Sequence, residues 1–405
     1  MELLLNRGLA LLIVAVLVAL GARLVRLPYT VGLMAVGMVL ALTRPAGKIA
    51  LTHEFVFDFL LPPLLFEAAI NIRWRELRRD LVPVLALAVP GTLIAAGTVT
   101  LAVRAMLGWP TAPAVMFGIL IAATDPVAVI AMFKDNAIGG RLRLLVESES
   151  LFNDGAAAVL FALALLWIQS GGAGVTPGGA AETFLLTVGG GILAGALCAG
   201  LALGVAGHTD DYLLESTITA ITAYGAFQLA QHFHGSGVLA TITAGLLIGN
   251  IGVVADETRG RLTTQGREFI LALWEFIAFI VNSVIFLLIG IAVERVHFSE
   301  LGAMAMLAVI LAVLLARAVS VYPLCLLFRS SGSRVTLAEQ HALWWGGLRG
   351  ALAMALALAL PDSFPFKKPI LIATFGMVAF SVIIQGVTMP LLLRWLGFTP
   401  RKAKA

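Results

Sequence analysis

The chain has 405 residues, of which 60% are hydrophobic and 12% charged, and its mean hydropathy is +1.00. Because a soluble domain carries about 25% charged residues, this composition excludes an ordinary soluble protein and indicates a polytopic α-helical membrane protein. The formal net charge of +4 is spread over short loops, which does not suggest a nucleic-acid partner, and the two cysteines imply neither a disulfide framework nor a cysteine metal site.

Apolar segments follow one another along almost the whole chain, and a membrane-spanning helix needs about 20 such residues. We count thirteen segments, at approximately 4–25, 29–42, 52–70, 81–107, 113–133, 143–169, 182–206, 212–231, 236–251, 265–293, 299–328, 336–359 and 369–396. The first is expected to be a mature helix rather than a signal peptide, because Arg23 and Arg26 follow its apolar core. The predicted fold class is all-α with about 13 transmembrane helices.

The basic residues predict an orientation. Most of the 27 Lys and Arg residues fall on the cytoplasmic side if the N-terminus lies outside and the C-terminus in the cytoplasm. We therefore predict a multi-pass protein of the cell (inner or plasma) membrane in that orientation.

An odd number of spans also fits two six-helix halves of opposite orientation joined by one connector, which is common in secondary transporters. Two segments are interrupted by residues that break helices, the fifth by T-D-P at 124–126 and the twelfth by G-G-L-R-G at 346–350. Each occupies position five of its half. The sequence therefore predicts two inverted six-helix repeats with broken crossing helices.

Acids inside apolar segments are functional-site candidates, because an ionised carboxylate is costly in hydrocarbon. Asp125 lies roughly 18 Å from the start of its segment at 1.5 Å per residue, near mid-bilayer. Pro126 disfavours helix in the preceding residue, so we expect an unwound turn whose carbonyls suit cation coordination. The alternative is that Asp125 caps the second half-helix, and both roles can hold together.

The sixth segment carries two pairs of polar residues at i,i+4 spacing, Ser150 with Asp154 and Glu149 with Asn153. The preference of acids for helix N-termini explains Glu149 in part. It does not explain Asp154, which lies past the first two turns, roughly 10 Å deep.

Arg349 cannot shed its charge and needs a partner in the membrane. We expect Glu149 to be that partner, which leaves Asp154 for an ion. The alternative pairs Arg349 with Asp125 or Asp154 and makes the cluster purely structural.

Glu67 lies a few residues from the basic loop at Arg73. It can either snorkel to the interface or line a cytoplasmic access funnel. His232 and His234 flank a Gly-rich loop, but their H-x-H spacing alone is weak evidence for a metal site. The pattern assigns no role to three further intramembrane residues, Asp58, Glu275 and Arg317.

Five motifs, in order and covering about 60 to 390, resemble those of the monovalent cation:proton antiporters of the NhaP/NHE (sodium/proton exchanger) type. They are L-L-P-P-L-L-F-E at 60–67, A-T-D-P-V-A-V at 123–129, E-S-L-F-N-D-G at 149–155, S-G-V-L-A-T-I-T-A-G-L-L-I-G-N at 236–250 and G-G-L-R-G-A at 346–351. One motif alone would be weak, whereas five in order are specific.

The resemblance implies one transmembrane antiporter domain over 1–405 that works as an elevator and forms a homodimer. Its parts would be a dimerisation part (approximately 1–75 and 210–293), a core part (approximately 81–170 and 299–396) and a connector helix (approximately 182–206). No soluble regulatory domain and no cofactor are expected, and the partners would be monovalent cations, protons and the lipid bilayer.

The resemblance also implies roles for individual residues. The carboxylate matching the family's ion carrier binds a cation or a proton in competition, three residues help to hold Na⁺, two support the broken helices, and two form a structural ion pair. The ion carrier would be Asp154, and the residues that help to hold Na⁺ would be Thr124, Ser150 and Glu67. Asn153 and Asp125 would support the broken helices, with Asp125 close to the ion. Glu149 and Arg349 would form the structural ion pair. The residue before Asp154 is Asn153 rather than a second aspartate. In this respect the chain resembles the electroneutral branch of the family.

The predicted function is therefore exchange of Na⁺ (or Li⁺) for H⁺ by a secondary active transporter that is not an enzyme, with 1:1 electroneutral stoichiometry. A K⁺/H⁺ or electrogenic exchanger is the alternative within the class, and a passive channel would show linear, pH-independent flux. A distant alternative is an intramembrane hydrolase, suggested by H-F-H-G-S-G at 232–237. The sequence contains neither the H-E-x-x-H motif of metalloproteases nor the G-x-S-x-G motif of serine hydrolases.

Overall fold

The structure, a computed structural model, describes residues 2–25, 28–43, 52–135, 138–170, 177–253, 262–294, 298–329 and 333–398. Over these ranges it is helical and contains no β-strand. The helices are α1 (Glu2–Val25), α2 (Tyr29–Thr43), α3 (Leu61–Ile70), α4 (Trp74–Ala88), α5 (Pro90–Leu107), α6 (Thr111–Ala122), α7 (Val127–Asp135), α8 (Arg141–Gln169), α9 (Pro177–Ala206), α10 (Tyr212–His232), α11 (Gly237–Leu247), α12 (Thr264–Glu294), α13 (Ala303–Leu327), α14 (Leu337–Trp345), α15 (Ala351–Ala359), α16 (Lys367–Phe380) and α17 (Gly386–Trp395).

Three wider π-helical turns and one short 3₁₀ turn complete the helical structure. The π turns Phe55–Leu60 and Ile248–Val253 adjoin α3 and α11, and Ser381–Gln385 joins α16 to α17. The 3₁₀ turn, Phe298–Glu300, precedes α13. A π turn admits one extra residue per turn and often occurs at functional sites.

Each of the thirteen predicted apolar segments coincides with helical structure, which confirms the predicted fold class. Among the described residues, seven helical stretches are long and apolar enough to cross a bilayer: Trp74–Leu107, Thr111–Lys134, Arg141–Gln169, Ala181–Ala206, Thr264–Ala292, Ala303–Leu327 and Lys367–Trp395. Shorter apolar helices lie at Leu12–Ala22, Tyr29–Leu42 and Gly237–Val253. The predicted interruptions of the fifth and twelfth segments are both present, between α6 and α7 and between α14 and α15.

The fourth segment begins earlier than predicted. We expected helix from residue 81, whereas α4 begins at Trp74 and takes in the basic stretch assigned to a loop. This stretch is amphipathic, because Leu77 is buried while Arg75 and Arg78 are exposed. A one-sided apolar face stabilises a helix that hydropathy alone does not reveal.

The chain divides into two compact units. The first unit comprises Met1–Thr52, Pro83–Ser150 and Asn282–Ala405, and the second comprises His53–Val82 and Leu151–Val281. In the first unit α5 packs between α6 and α13, and the half-helices α6 and α15 pack against α16. In the second unit α11 packs against α3, α9 and α10.

Local capping fixes several helix starts. The Ser236 hydroxyl accepts a hydrogen bond from the Leu239 N–H and begins α11, and the Asp211 carboxylate does the same for α10 through Leu213. Thr336 begins α14 with a reciprocal capping box to Glu339. These starts follow the ordinary preference for Ser, Asp and Thr at the N-cap.

Small residues allow close helix contacts in the second unit. A Cβ on Gly195 of α9 would overlap the Ala240 carbonyl oxygen of α11, whereas a Cβ on Gly200 of the same helix would meet nothing within 4 Å. Residues 171–176, which precede the connector helix predicted at 182–206, lie outside the described residues. The division into dimerisation, core and connector parts and the membrane orientation stay predictions.

We expect Gly195→Ala to lower the free energy of unfolding by about 1–3 kcal/mol, because the added methyl forces α9 away from α11. The matched control is Gly200→Ala, which should leave stability unchanged or raise it by up to about 1 kcal/mol through helix propensity. Thermal melting of the detergent-solubilised protein measures both. Equal melting temperatures for the two variants would contradict this packing.

Candidate ion-binding site

The first interruption, residues 123–126, leaves helix ends open. Ala123 leaves the helical conformation with φ −59° and ψ 137°, and Pro126 has no N–H to continue the helix. The last carbonyls of α6 and the first N–H groups of α7 therefore lack helical partners and must be satisfied by other groups. Thr124, in the middle, is buried with 4% exposure.

The second interruption, residues 346–350, meets the first within the first unit. The Asp125 N–H donates to the Leu348 carbonyl at 2.7 Å. Gly350 leaves no room for a side chain, because a Cβ there would overlap the Asp125 carboxylate. We call these two interruptions, 123–126 and 346–350, the crossing.

The Asp125 carboxylate lies at the start of two half-helices. Its Oδ1 accepts from the Val127 N–H at 2.9 Å, and its Oδ2 lies 3.4 Å from the Ala351 nitrogen. The first turn of a helix carries about half a positive charge, so one carboxylate stabilises the starts of both α7 and α15. The capping role considered for Asp125 is present, and it extends to a second helix.

The side chain of Arg349, in the second interruption, contacts the C-terminal end of α6. Its Nη1 donates to the carbonyls of Ala122 at 2.7 Å and Ala123 at 2.9 Å, and the residue is 2% exposed. The Ser381 hydroxyl oxygen lies 3.1 Å from both the Arg349 nitrogen and its carbonyl oxygen. The guanidinium therefore satisfies carbonyls at a negative helix end, and Ser381 fixes the backbone that carries it.

Glu149 forms a buried ion pair with Arg317 of α13, whereas its pairing with Arg349 stays a prediction. Two parallel contacts join Nη1 to Oε1 and Nη2 to Oε2, each at 2.8 Å, and both residues are buried. Arg317 also donates to the Leu343 carbonyl near the end of α14. Arg349 thus has the carbonyls of a helix end as hydrogen-bond partners, which the argument for a carboxylate partner did not consider.

The charged side chains in and around the crossing therefore compensate the partial charges of four half-helix ends. Asp125 serves the starts of α7 and α15, Arg349 the end of α6, and Arg317 the end of α14. Glu149 balances Arg317. The formal charges of these two acids and two arginines sum to zero.

Helix α8 carries Glu149 and Ser150 next to the crossing and continues with Asn153 and Asp154 into the second unit. The Ser150 hydroxyl donates to the Thr124 carbonyl at 2.5 Å, and Thr124, Ser150 and Glu149 line one narrow pocket of the first unit. Asn153 is buried with 1% exposure, and Asp154, partly exposed, follows Ser150 by one helical turn. The structure thus brings Thr124 and Ser150 together.

Glu67 belongs to the second unit, on α3. It is partly buried, and the Asn71 amide donates to its carboxylate at 3.0 Å. Asp58 lies in the π turn before α3, with its Oδ1 3.4 Å from the Gln231 amide nitrogen. Glu275 is exposed on α12. The choice between snorkelling and an access funnel for Glu67 stays open.

The motif that suggested a hydrolase has a structural role. Ser236 caps α11, and its side-chain oxygen accepts from the Leu239 N–H at 3.3 Å. His232 and His234 are exposed at the end of α10. Across the part of the chain that the structure describes, no group of three or more His, Cys, Asp or Glu side chains could hold a metal ion.

Sequence reasoning missed the roles of three polar residues inside apolar helices. The sequence could have indicated a role for Arg317, because an arginine inside an apolar helix needs a partner there, as was argued for Arg349. Ser381 and Gln385 interrupt the last apolar segment, and both are buried against the crossing. Polar residues this deep in an apolar helix are the signal that could have found them.

Two discontinuous helices that meet at an unwound, charge-compensated crossing define a secondary transporter. The profile of the sodium/hydrogen exchanger transmembrane family matches residues 9–395. The chain therefore belongs to the sodium/hydrogen exchanger family, whose members are transporters and not enzymes.

Individual relatives agree with this assignment. The Na⁺/H⁺ antiporter ApNhaP of Aphanothece halophytica is 36% identical over 383 residues, covering 94% of this chain and 71% of that protein. The Na⁺/H⁺ antiporter NhaH of Halobacillus aidingensis is 33% identical over 410 residues, covering 96% and 97%. The solved structure of the sodium proton antiporter MjNhaP1 from Methanocaldococcus jannaschii at pH 8 superposes with a TM-score of 0.78 at 22% identity, covering 98% of this chain and 100% of that one, which shows a shared fold.

We expect Glu149→Ala and Arg317→Ala each to lower the free energy of unfolding by about 3–5 kcal/mol, because each leaves a buried charge without its partner. The double variant should lose much less than the sum, with a coupling of about 0.5–3 kcal/mol. Thermal melts of the single and double variants measure this cycle.

The control for that cycle is Arg143→Ala, which removes the 3.0 Å pair with Glu147 on the same helix α8. That pair is partly exposed, so the expected loss is below about 1 kcal/mol. Additive losses at positions 149 and 317 would contradict a coupled pair.

Proposed function

We propose that this protein exchanges Na⁺ or Li⁺ for H⁺ with 1:1, electroneutral stoichiometry. The observation that carries the proposal is the charge balance of the crossing, in which Asp125, Glu149, Arg317 and Arg349 sum to zero. Asp154, one turn beyond Ser150 on α8, adds one further negative charge. One carboxylate takes one Na⁺ or one H⁺, and each load restores neutrality.

The proposed cation ligands are oxygen atoms, which hard monovalent cations prefer. Asp154 supplies the charge, and Ser150 and Thr124 supply neutral oxygens. The motif resemblance adds Glu67 as a further Na⁺ ligand. Asn153 and Asp125 support the site, and the two caps made by Asp125 support this role because they hold the unwound turn in place.

The proposed mechanism is competition for Asp154. A proton and a cation cannot occupy the same carboxylate, so loading one releases the other. Strict exchange follows if only a loaded carrier changes its access from one side of the membrane to the other. The resemblance supports an elevator movement of the core part against the dimerisation part, in a homodimer.

The proposed location is the cell membrane, with the N-terminus outside and the C-terminus in the cytoplasm. The distribution of Lys and Arg supports this orientation. In that arrangement the basic start of α4 faces the cytoplasm, where arginines are favoured.

We expect Asp154→Asn to abolish cation-dependent proton movement while the protein stays folded, because the amide carries no negative charge and takes up no proton. Purified protein in liposomes with an internal pH dye measures exchange, and size-exclusion chromatography checks folding. The matched control is Asp58→Asn, another partly buried acid, which should retain exchange. Wild-type exchange by Asp154→Asn would refute the role of Asp154.

We expect exchange to be independent of the membrane potential, because one positive charge moves in each direction. Imposing a proton gradient and adding Na⁺, Li⁺ or K⁺ in turn, with the potential free or clamped, tests both stoichiometry and selectivity. Proton efflux that follows the potential would establish an electrogenic exchanger. A response to K⁺ alone would establish a K⁺/H⁺ exchanger, and linear flux without competition would establish a channel.

A further inference from the structure

The last helix repeats a short pattern of the sixth span. Residues 150–155 read S-L-F-N-D-G, and residues 381–386 read S-V-I-I-Q-G. In each, a serine is followed four residues later by a polar residue and then by glycine. Asp154 holds the polar position in the first stretch, and Gln385 holds it in the second.

The two serines make corresponding contacts. Ser150 donates to the carbonyl of Thr124 in the first interruption. Ser381 contacts the backbone nitrogen and oxygen of Arg349 in the second, both at 3.1 Å. The register differs by one residue, since Ser150 contacts the residue before Asp125 and Ser381 contacts Arg349 itself. Each serine therefore fixes one interruption of the crossing.

Gln385 binds the same interruption as Ser381. Its Nε2 donates to the Trp345 carbonyl, the last of α14, at 3.0 Å, and the residue is 1% exposed. Its Oε1 is buried and makes no hydrogen bond with any residue that the structure describes. The π turn Ser381–Gln385 carries both side chains.

We propose that Ser381 and Gln385 are the second-half counterparts of Ser150 and Asp154, and that Gln385 is a positioning residue whose uncharged amide holds the second interruption in place. The proposal rests on the proposed function of Asp154. The exchanger then keeps the serine contact in both halves but carries its exchangeable ion in only one. Of the two polar positions in this repeated pattern, Asp154 alone is then a carboxylate.

Hydrogen-bond chemistry explains why an amide occupies this position. The Trp345 carbonyl needs a donor, and it lies at the negative end of α14. An ionised carboxylate at 385 has no proton to donate, so its oxygen and the Trp345 carbonyl oxygen would both be acceptors and would repel each other. A protonated carboxyl could still donate to that carbonyl. Besides Arg349, the charged or titratable groups described on elements packed against the last span are Tyr29, Lys134, Glu300, Arg317, Tyr322, Cys325, Glu339 and His341, and the span itself carries Lys367, Lys368 and Arg394.

The test is Gln385→Glu, which keeps the shape of the side chain and adds a titratable proton. We expect exchange to come nearest to wild type at the lowest pH measured, where more of the carboxyl is protonated and can donate to the Trp345 carbonyl. Exchange should fall by about tenfold relative to wild type towards pH 9, where the ionised form cannot donate. A merely space-filling residue would not produce this pH dependence.

Two further variants keep the proposal falsifiable. Gln385→Met, of similar size but without a donor, should raise the apparent KM for Na⁺ at every pH, and Ser381→Ala should act in the same direction. The matched control is Thr374→Val on α16, since Thr374 is equally buried but its hydroxyl donates only to Ile370 of its own helix at 2.8 Å. That control should exchange like wild type.

Melting temperature measured across the same pH range gives a readout that does not need transport. The Gln385→Glu protein should lose stability relative to wild type as the pH rises. Wild-type kinetics for Gln385→Met, or a Gln385→Glu protein that matches wild type at pH 9 in both rate and melting, would overturn the inference. A wild-type protein that shows no exchange would refute the proposed function, while the melting series would still decide whether Gln385 positions the second interruption.

Discussion

The structure of the first unit depends on one carboxylate shared by two helix starts. Without Asp125, the first turns of α7 and α15 would bring two partial positive charges together in apolar surroundings, where repulsion is little screened. The close approach requires glycine at 350, and it brings the Asp125 N–H onto the Leu348 carbonyl. At the ends of the other two half-helices, α6 and α14, two arginines bind the exposed carbonyls. Unwound backbone at membrane depth is thereby satisfied by the protein itself.

Much of this fold could be predicted from the sequence because its causes are local. Hydropathy defines the spans, and the helix-breaking chemistry of Pro126 and of the glycines around Arg349 defines the two interruptions. The residues Thr124 and Ser150 were predicted together and are in contact. Their roles toward an ion stay predictions.

The pairing of charges could not be read from the sequence, since it depends on contacts between residues far apart in the chain. Asp125 and Ala351 are 226 positions apart, and Glu149 and Arg317 are 168 apart. The sequence offers two buried arginines and several acids without saying which ones meet. A helix end can also replace a carboxylate as the partner of an arginine, and hydropathy carries no trace of that choice.

The π turns are another feature that the sequence conceals, because their residues read as ordinary apolar helix. Each one offers a polar group to a neighbouring segment: the Phe59 carbonyl accepts from Tyr224, the Asn250 amide donates to the Ile72 carbonyl, and Ser381 holds Arg349. Within each unit, the wider turns thus supply some of the polar contacts between segments.

The neutrality of the crossing has a consequence for work done in an electric field. Each elementary charge displaced across a membrane costs or releases about 2.3 kcal/mol per 100 mV. A group of residues whose acids and arginines cancel, and whose helix ends are compensated, can be displaced through that field without such a cost. With Asp154 loaded as proposed, a voltage across the membrane would then neither hold this framework on one side nor drive it to the other, and the energy of the cycle would come from the ion gradients alone.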